Sequence, residues 1–145
     1  GYDPRGLKGH GLGIATSNRG ACHNRGYATQ ETRGWPWPVD RLEVNGKGRL
    51  AMINQDRACI IDYSGWCLFF AFRVSFELYT ARFLPAATGI EDYKNVQNLM
   101  KVGERVNNVE RAFNVREGFT RKDSLEELGL HDVAKELQRL GKLPA

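Results

Sequence analysis

Residues 88–118 read TGIEDYKNVQNLMKVGERVNNVERAFNVREG, and the spacing of apolar positions in this stretch decides the fold class. Val96, Leu99, Gly103, Val106 and Phe113 recur at steps that place them on one stripe of a helix. Thr88-Gly89-Ile90-Glu91 fits a capping box, in which a Thr hydroxyl and a Glu carboxylate satisfy free N–H groups at a helix start. Gly118 ends the element. Upstream, Leu50, Ile53 and Arg57 to Ile61 predict a helix over Arg49–Ile61. Asp62-Tyr63-Ser64-Gly65 is then a turn, because Asp and Ser bond to nearby backbone and Gly65 permits a positive φ. A second helix is predicted from Trp66 to Leu84, halted before Pro85 and apolar round most of its circumference, hence buried. A last short helix is predicted over His131–Leu140, with Gly141 as its cap.

No strand alternation is present, so the fold class is mainly α: one helical domain, residues 50–145, behind a long irregular glycine-rich segment, residues 1–49. Ten of the sixteen glycines lie in that segment, and Trp35-Pro36-Trp37-Pro38 cannot continue a helix. Asn45-Gly46-Lys47-Gly48 closes it like a linker.

A chain of 145 residues suits one domain with one core. No apolar run is long enough to span a bilayer, since Trp66–Phe72 is interrupted by Arg73 and then Glu77. Gly1-Tyr2-Asp3-Pro4-Arg5 lacks the apolar centre of a signal peptide. The formal charge of +4 resides in residues 1–49, which hold eight Lys and Arg against four Asp and Glu. Such a basic, glycine-rich segment suits anions, phosphates among them, although a solvated basic loop has the same composition. A nucleic-acid binder is disfavoured, because the segment has neither patterned aromatics nor a recognition helix. Cys22, Cys59 and Cys67 are odd in number and spaced unlike a disulfide framework, which favours a reducing, cytoplasmic setting. Without a Cys-x-x-Cys pair they do not form a self-contained metal site, so any centre they serve draws its other ligands from elsewhere.

Two stretches combine groups suited to chemistry. A cysteine at the first turn of an apolar helix, as expected for Cys67, feels the positive helix end, and both that dipole and free N–H groups favour thiolate. Asp62, five residues earlier, can accept hydrogen bonds from an amine-bearing ligand. The alternative is a buried structural cysteine beside a turn aspartate. In the second stretch, Ala15 to Arg25, Arg19 and Arg25 flank His23 in a polar loop. Forked guanidinium groups suit phosphates, and His23 can carry a proton near neutrality, whereas the alternative is a solvated surface loop. His10 and His131 read as ordinary surface residues.

Ala15-Thr16-Ser17-Asn18-Arg19-Gly20 with Cys22-His23, the Asp-x-x-Gly-x-Cys of Asp62 to Cys67, and Glu104 through Asp123 resemble, in order, the aldehyde ferredoxin oxidoreductase family. The resemblance implies a tungsten held by two pyranopterins beside a 4Fe-4S cluster, oxidation of aldehydes to carboxylic acids, and electron transfer to ferredoxin. It implies that Cys67 is the fourth cluster ligand and that Asp62, Trp66, Cys67 and Leu68 lie in the second pterin motif. By the same resemblance Arg19 contacts pterin, Arg25 stands where a lysine is usual, and His23 is the active-site histidine acting on the substrate oxygen. The chain matches the family's last helical domain. The β-rich pterin-seating N-terminal domain and the three clustered cysteines are absent, and the stretch after Asp123 is shorter than usual. Because one cysteine cannot hold a cluster that takes four thiolates, the chain alone is expected to bind neither cofactor tightly and to oxidise no aldehyde. A degenerate, non-catalytic binding module is the alternative. In isolation a face built to meet another domain is expected to be exposed, with residues 1–49 and the apolar end near Trp66 and Phe69 forming or covering it, and to promote self-association.

Overall fold

The computed structural model describes residues 3–72, 75–120 and 123. Among them the elements are helical, in the order α1 (Lys8–Ala15), α2 (Thr29–Thr32), α3 (Lys47–Tyr63), α4 (Leu68–Ala71), α5 (Phe76–Thr88), a 3₁₀ turn (Glu91–Lys94) and α6 (Val96–Arg116). The mainly α expectation therefore holds. His131, the helix expected over His131–Leu140 and the short stretch after Asp123 lie outside the described residues.

Helices α3 and α6 pack against one another as the centre of the molecule. Ile60, Ile61, Ala71, Ala81 and Leu99 form its apolar core, with Trp66, Leu68, Leu84, Tyr93, Val96 and Met100 against them. The closest approach is at Gly103, where a Cβ would lie 2.3 Å from the carbonyl oxygen of Asp56. Both long helices end in the same way. The Gly65 N–H reaches the Asp62 carbonyl and the Trp66 N–H that of Ile61, each at 3.1 Å; Gly118 and Phe119 do likewise with Val115 and Asn114. Gly65 (φ 73°) and Gly118 (φ 90°) supply the left-handed residue that such a terminus needs.

Several expectations are corrected, among them that His10 lies at the surface. Residues 1–49 are irregular over most of their length, but Lys8–Ala15 is helical despite three glycines. Glycine costs a helix about 1 kcal/mol per residue, and packing supplies the compensation. A Cβ on Gly9 would lie 2.8 Å from Leu50 of α3, and one on Gly13 2.9 Å from the Gly26 carbonyl. The Glu31 carboxylate also caps the helix start, accepting from the Gly9 and His10 N–H groups at 2.8 Å each. Glu31 is ion-paired in turn with the buried Lys47 of α3. This arrangement buries His10 completely. Burial, then His23, lower its pKa, while Glu31 opposes them.

The long helix expected from Trp66 is instead two elements, α4 and α5, and the second runs through Pro85 to Gly89 (φ 73°). Pro85 stands in the final turn, where the missing N–H forfeits a single bond and its ring is buried. Nor is this region buried all round. Phe69, at 76% exposed, joins Phe70, Leu78, Tyr79 and Phe83 on the surface, so the apolar face expected near Trp66 and Phe69 is present and wider than predicted.

The Thr88–Glu91 capping box does not form. The Thr88 hydroxyl donates back to the Leu84 carbonyl at 2.6 Å, and Asn95 caps α6 by accepting from the Gln97 N–H at 2.8 Å. The apolar stripe of α6 buries Leu99 and Gly103 but leaves Phe113 exposed.

Asp56 faces α6 across the tightest part of the interface. Burial, partly opposed by a hydrogen bond with Asn107 and assisted by nearby Glu104, raises its pKa to about 6. A raised folded-state pKa means that the stabilising contribution of the neutral acid is complete below the unfolded value and is lost as pH rises through 6. Asp56→Asn should therefore raise stability by about 2 kcal/mol at pH 7.5, and the gain should shrink toward pH 4.5. Equal midpoints of urea unfolding at both pH values would refute this.

Candidate cofactor-facing cavity

The loop following α1 is held against α6 by side chains on one face of that helix. Asn18 Nδ2 donates to the Asn107 backbone carbonyl (2.8 Å) and also meets its side-chain oxygen. Asn114 Nδ2 donates to the Asn18 carbonyl at 2.5 Å, and the Arg111 guanidinium donates to the Thr16 carbonyl. From α3, Gln55 Nε2 donates to the Thr16 hydroxyl at 2.8 Å. A loop anchored in this way to both helices holds its arginines in defined places.

Those arginines meet Asp62. The Arg25 side chain is only 7% exposed; its Nη1 lies 2.6 Å from Asp62 Oδ2, and its Nη2 is paired with Glu110 of α6. Arg25 thus joins the loop, α3 and α6 through two carboxylates. Burial lowers its pKa, but Glu110, then Cys59 and Asp62, outweigh that and leave it raised. Arg19 approaches Asp62 to 4.0 Å and donates from Nε and Nη2 to the Cys22 sulfur at 3.3 Å. Burial alone would raise the Cys22 thiol; Arg19 and the backbone N–H groups of Asn24 and Arg25 overcome it and hold the thiol below its ordinary value. Asp62 lies in the last turn of α3, the end at which the helix dipole disfavours a carboxylate. Its placement there is compensated by the two guanidinium groups rather than by the helix.

Arg19, Arg25 and Asp62 line an open cavity of about 680 Å³ with Asn18, Cys59, Tyr63, Val106, Val109, Glu110, Phe113 and Asn114. Most of the lining is polar or charged, and Val106, Val109 and Phe113 of α6 form an apolar patch within it. That combination suits a ligand with an extended flat body and hydrogen-bonding edges. Burial pushes the Cys59 thiol up to about 11, with Arg25 opposing and Glu110, Asp56 and Asp62 assisting, so as a free group it is protonated at neutral pH.

The other sequence-predicted residues lie away from this cavity wall. His23 is exposed on the same loop. Trp66 stacks on Phe70 with centroids 5.2 Å apart, and Leu68 packs on the core. Leu68 also lines a narrow crevice with Asn24, the residue between His23 and Arg25. Cys67 is exposed, but it caps the four-residue α4 instead of starting a long helix, so the strong dipole expected behind its sulfur is missing. Among the described residues no three His, Cys, Asp or Glu side chains are grouped to hold a metal ion. An exposed thiol with no companions fits a cluster only as one ligand of several.

Glu110, Asn107, Arg111 and Asn114 were not singled out from the sequence. They recur at steps of three and four, and a polar stripe of that spacing on a helix already carrying an apolar stripe was the available signal.

A sequence model of the family described as aldehyde ferredoxin oxidoreductase, domains 2 and 3, matches residues 1–139. The tungsten-containing aldehyde ferredoxin oxidoreductase of Pyrococcus furiosus is 39% identical over 143 residues, covering 93% of this chain and 22% of that protein. Its namesake from Thermococcus kodakarensis is 40% identical over 120 residues, or 81% of this chain and 19% of the relative. That from Pyrococcus horikoshii is 39% identical over the same shares. The chain thus spans about a fifth of the length of the curated relatives it matches.

Proposed function

Because the chain belongs to the aldehyde ferredoxin oxidoreductase family, we propose that it forms one wall of a tungsten–pterin site in a larger oxidoreductase acting on aldehydes and supplies one thiolate to an adjoining 4Fe-4S cluster. The observation that carries this reading is the convergence of Arg19, Arg25 and Asp62, from separate parts of the sequence, on one cavity. Bound there, the cofactors supply the two-electron oxidation of aldehyde to carboxylate and the single-electron passage to ferredoxin. The chain's own residues bind and orient. Asp62 accepts from the amine edge of pterin, Arg19 and Arg25 face its anionic groups, and Trp66 and Leu68 support the turn that presents Cys67. His23, exposed on the arginine loop, holds or donates a proton at the substrate oxygen.

The remaining domains, on the same or a separate polypeptide, bring the other cluster ligands and cover the apolar face of α4 and α5. Alone, the chain self-associates through that face and is without aldehyde oxidation. Three free cysteines suit a reducing cytoplasm, and no helix among the described residues is long and apolar enough to cross a membrane.

The test is co-expression with a chain bearing the pterin-seating and three-cysteine domains, followed by metal analysis and electron paramagnetic resonance. The complex should carry tungsten and a four-iron cluster signal, and Cys67→Ser should abolish or convert that signal. Stoichiometric iron and aldehyde turnover by the isolated chain would overturn the proposal. A stable complex with neither metal nor turnover would support the non-catalytic binding module, a reading to which the exposed Trp35 and Trp37 lend an interaction surface.

A further inference from the structure

Both arms of the Arg25 guanidinium are occupied, Nη1 by Asp62 and Nη2 by Glu110. The two arginines and two carboxylates bring the formal charge of this group to zero, although both arginines come from the basic part of the sequence. An entering anion therefore meets a neutralised guanidinium and must take the place of a carboxylate to gain a paired hydrogen bond from Arg25. The two carboxylates are not equivalent. Asp62 is short and has Arg19 at 4.0 Å as a second cation. Glu110 is about as exposed as Asp62, at 38% against 44%, but it has one further methylene, no second arginine, and as its second contact only a 3.5 Å bond from Asn18 Nδ2. Along α6 its neighbours on the cavity wall are Val106, Val109, Phe113 and Asn114; three are apolar, and the Asn114 amide is engaged with the Asn18 carbonyl. Glu110 is the one that can leave for water at least cost.

We propose that Glu110 is the positioning and specificity-determining residue of this cavity, holding Arg25 in a fixed fork and excluding small inorganic anions. A ligand gains Arg25 only if its contacts with the rest of the cavity offset the displacement of Glu110. The ligand class it selects is a large phosphate-bearing molecule with an extended body that also covers the apolar wall of Val106, Val109 and Phe113. This inference rests on the reading that the cavity faces the phosphate-bearing pterin, but its test uses no pterin.

Inorganic pyrophosphate is titrated into the 145-residue chain by calorimetry, with circular dichroism confirming the helical fold of each variant. Glu110→Gln should bind pyrophosphate about ten-fold more tightly than the wild-type chain, equivalent to removing one opposing charge at short range. The gain should vanish when Arg25→Met is added. Glu110→Asp, whose carboxylate retracts by one methylene, should show a smaller gain and carries the test if Glu110→Gln does not fold. An unchanged affinity in the variant that folds, or a gain that persists with Arg25→Met, overturns the role of Glu110. By contrast, if Arg25→Met abolishes pyrophosphate binding yet leaves the cofactor content of the co-expressed complex intact, the pterin reading of the cavity fails and the role of Glu110 stands.

Discussion

Gly103→Ala is expected to destabilise the chain by about 3 kcal/mol, the upper part of the usual range for overpacking. The added methyl would lie 2.3 Å from the Asp56 carbonyl oxygen, 2.9 Å from its carbon and 3.1 Å from Ile60 Cγ1. The first two are backbone atoms of α3, so no rotamer change can relieve the contact; the helices must separate by more than an ångström. Separation there opens the core, because Leu99 and Ile60 flank the crossing and are almost wholly buried. It also shifts Asn107 and Asn114, which hold the arginine loop. Urea unfolding should show a lower midpoint, with the slope preserved if the denatured state is unchanged. A midpoint within experimental error of wild type would mean that α3 and α6 do not approach as described.

Arg25→Met should cost about 2 to 3 kcal/mol, less than the full penalty for breaking a buried pair. The arginine itself is buried, but its partners Asp62 and Glu110 are 44% and 38% exposed, so water recovers part of their solvation when the cation goes. Arg25→Lys should cost less, about 1 kcal/mol, since one ammonium keeps the charge but lacks the fork that reaches both carboxylates. The pattern across variants is diagnostic. Adding Glu110→Gln to Arg25→Met should recover part of the loss, because the remaining carboxylate no longer faces a second one. Strict additivity of the two substitutions in unfolding free energy would show that Arg25 and Glu110 do not interact. The same variants bear on the cavity, which loses the residue that ties its loop to both helices.

Several features were legible along the chain because they are local. The stripe of α6 through Leu99 and Gly103, the termini at Gly65 and Gly118, and the choice of Arg19, Arg25 and Asp62, which line one cavity, each follow from spacing, backbone freedom or resemblance within short stretches. The last of these needed the family pattern as well, since a turn aspartate and a basic loop far apart in sequence do not announce that they meet. Most of what escaped was decided at a distance, and one feature was lost to local competition. The capping box at Thr88 lost to Asn95 because the backbone turns through a 3₁₀ segment first, so that the hydroxyl satisfies the helix behind it.

By itself the sequence determined that this is a helical protein, where its two long helices stop, and to which family it belongs. Only the tertiary structure decided that a glycine-rich stretch becomes α1, that His10 is buried, and that Glu110 is the counter-ion of Arg25. The physical reason is common to all three. Glycine and charge are unfavourable or indifferent in an isolated segment, and they become favourable where a close backbone approach or a buried opposite charge arrives from elsewhere in the chain. Such partners, Leu50 and Gly26 for α1 and Asp62 and Glu110 for Arg25, lie outside the local segment in sequence and at contact distance in space.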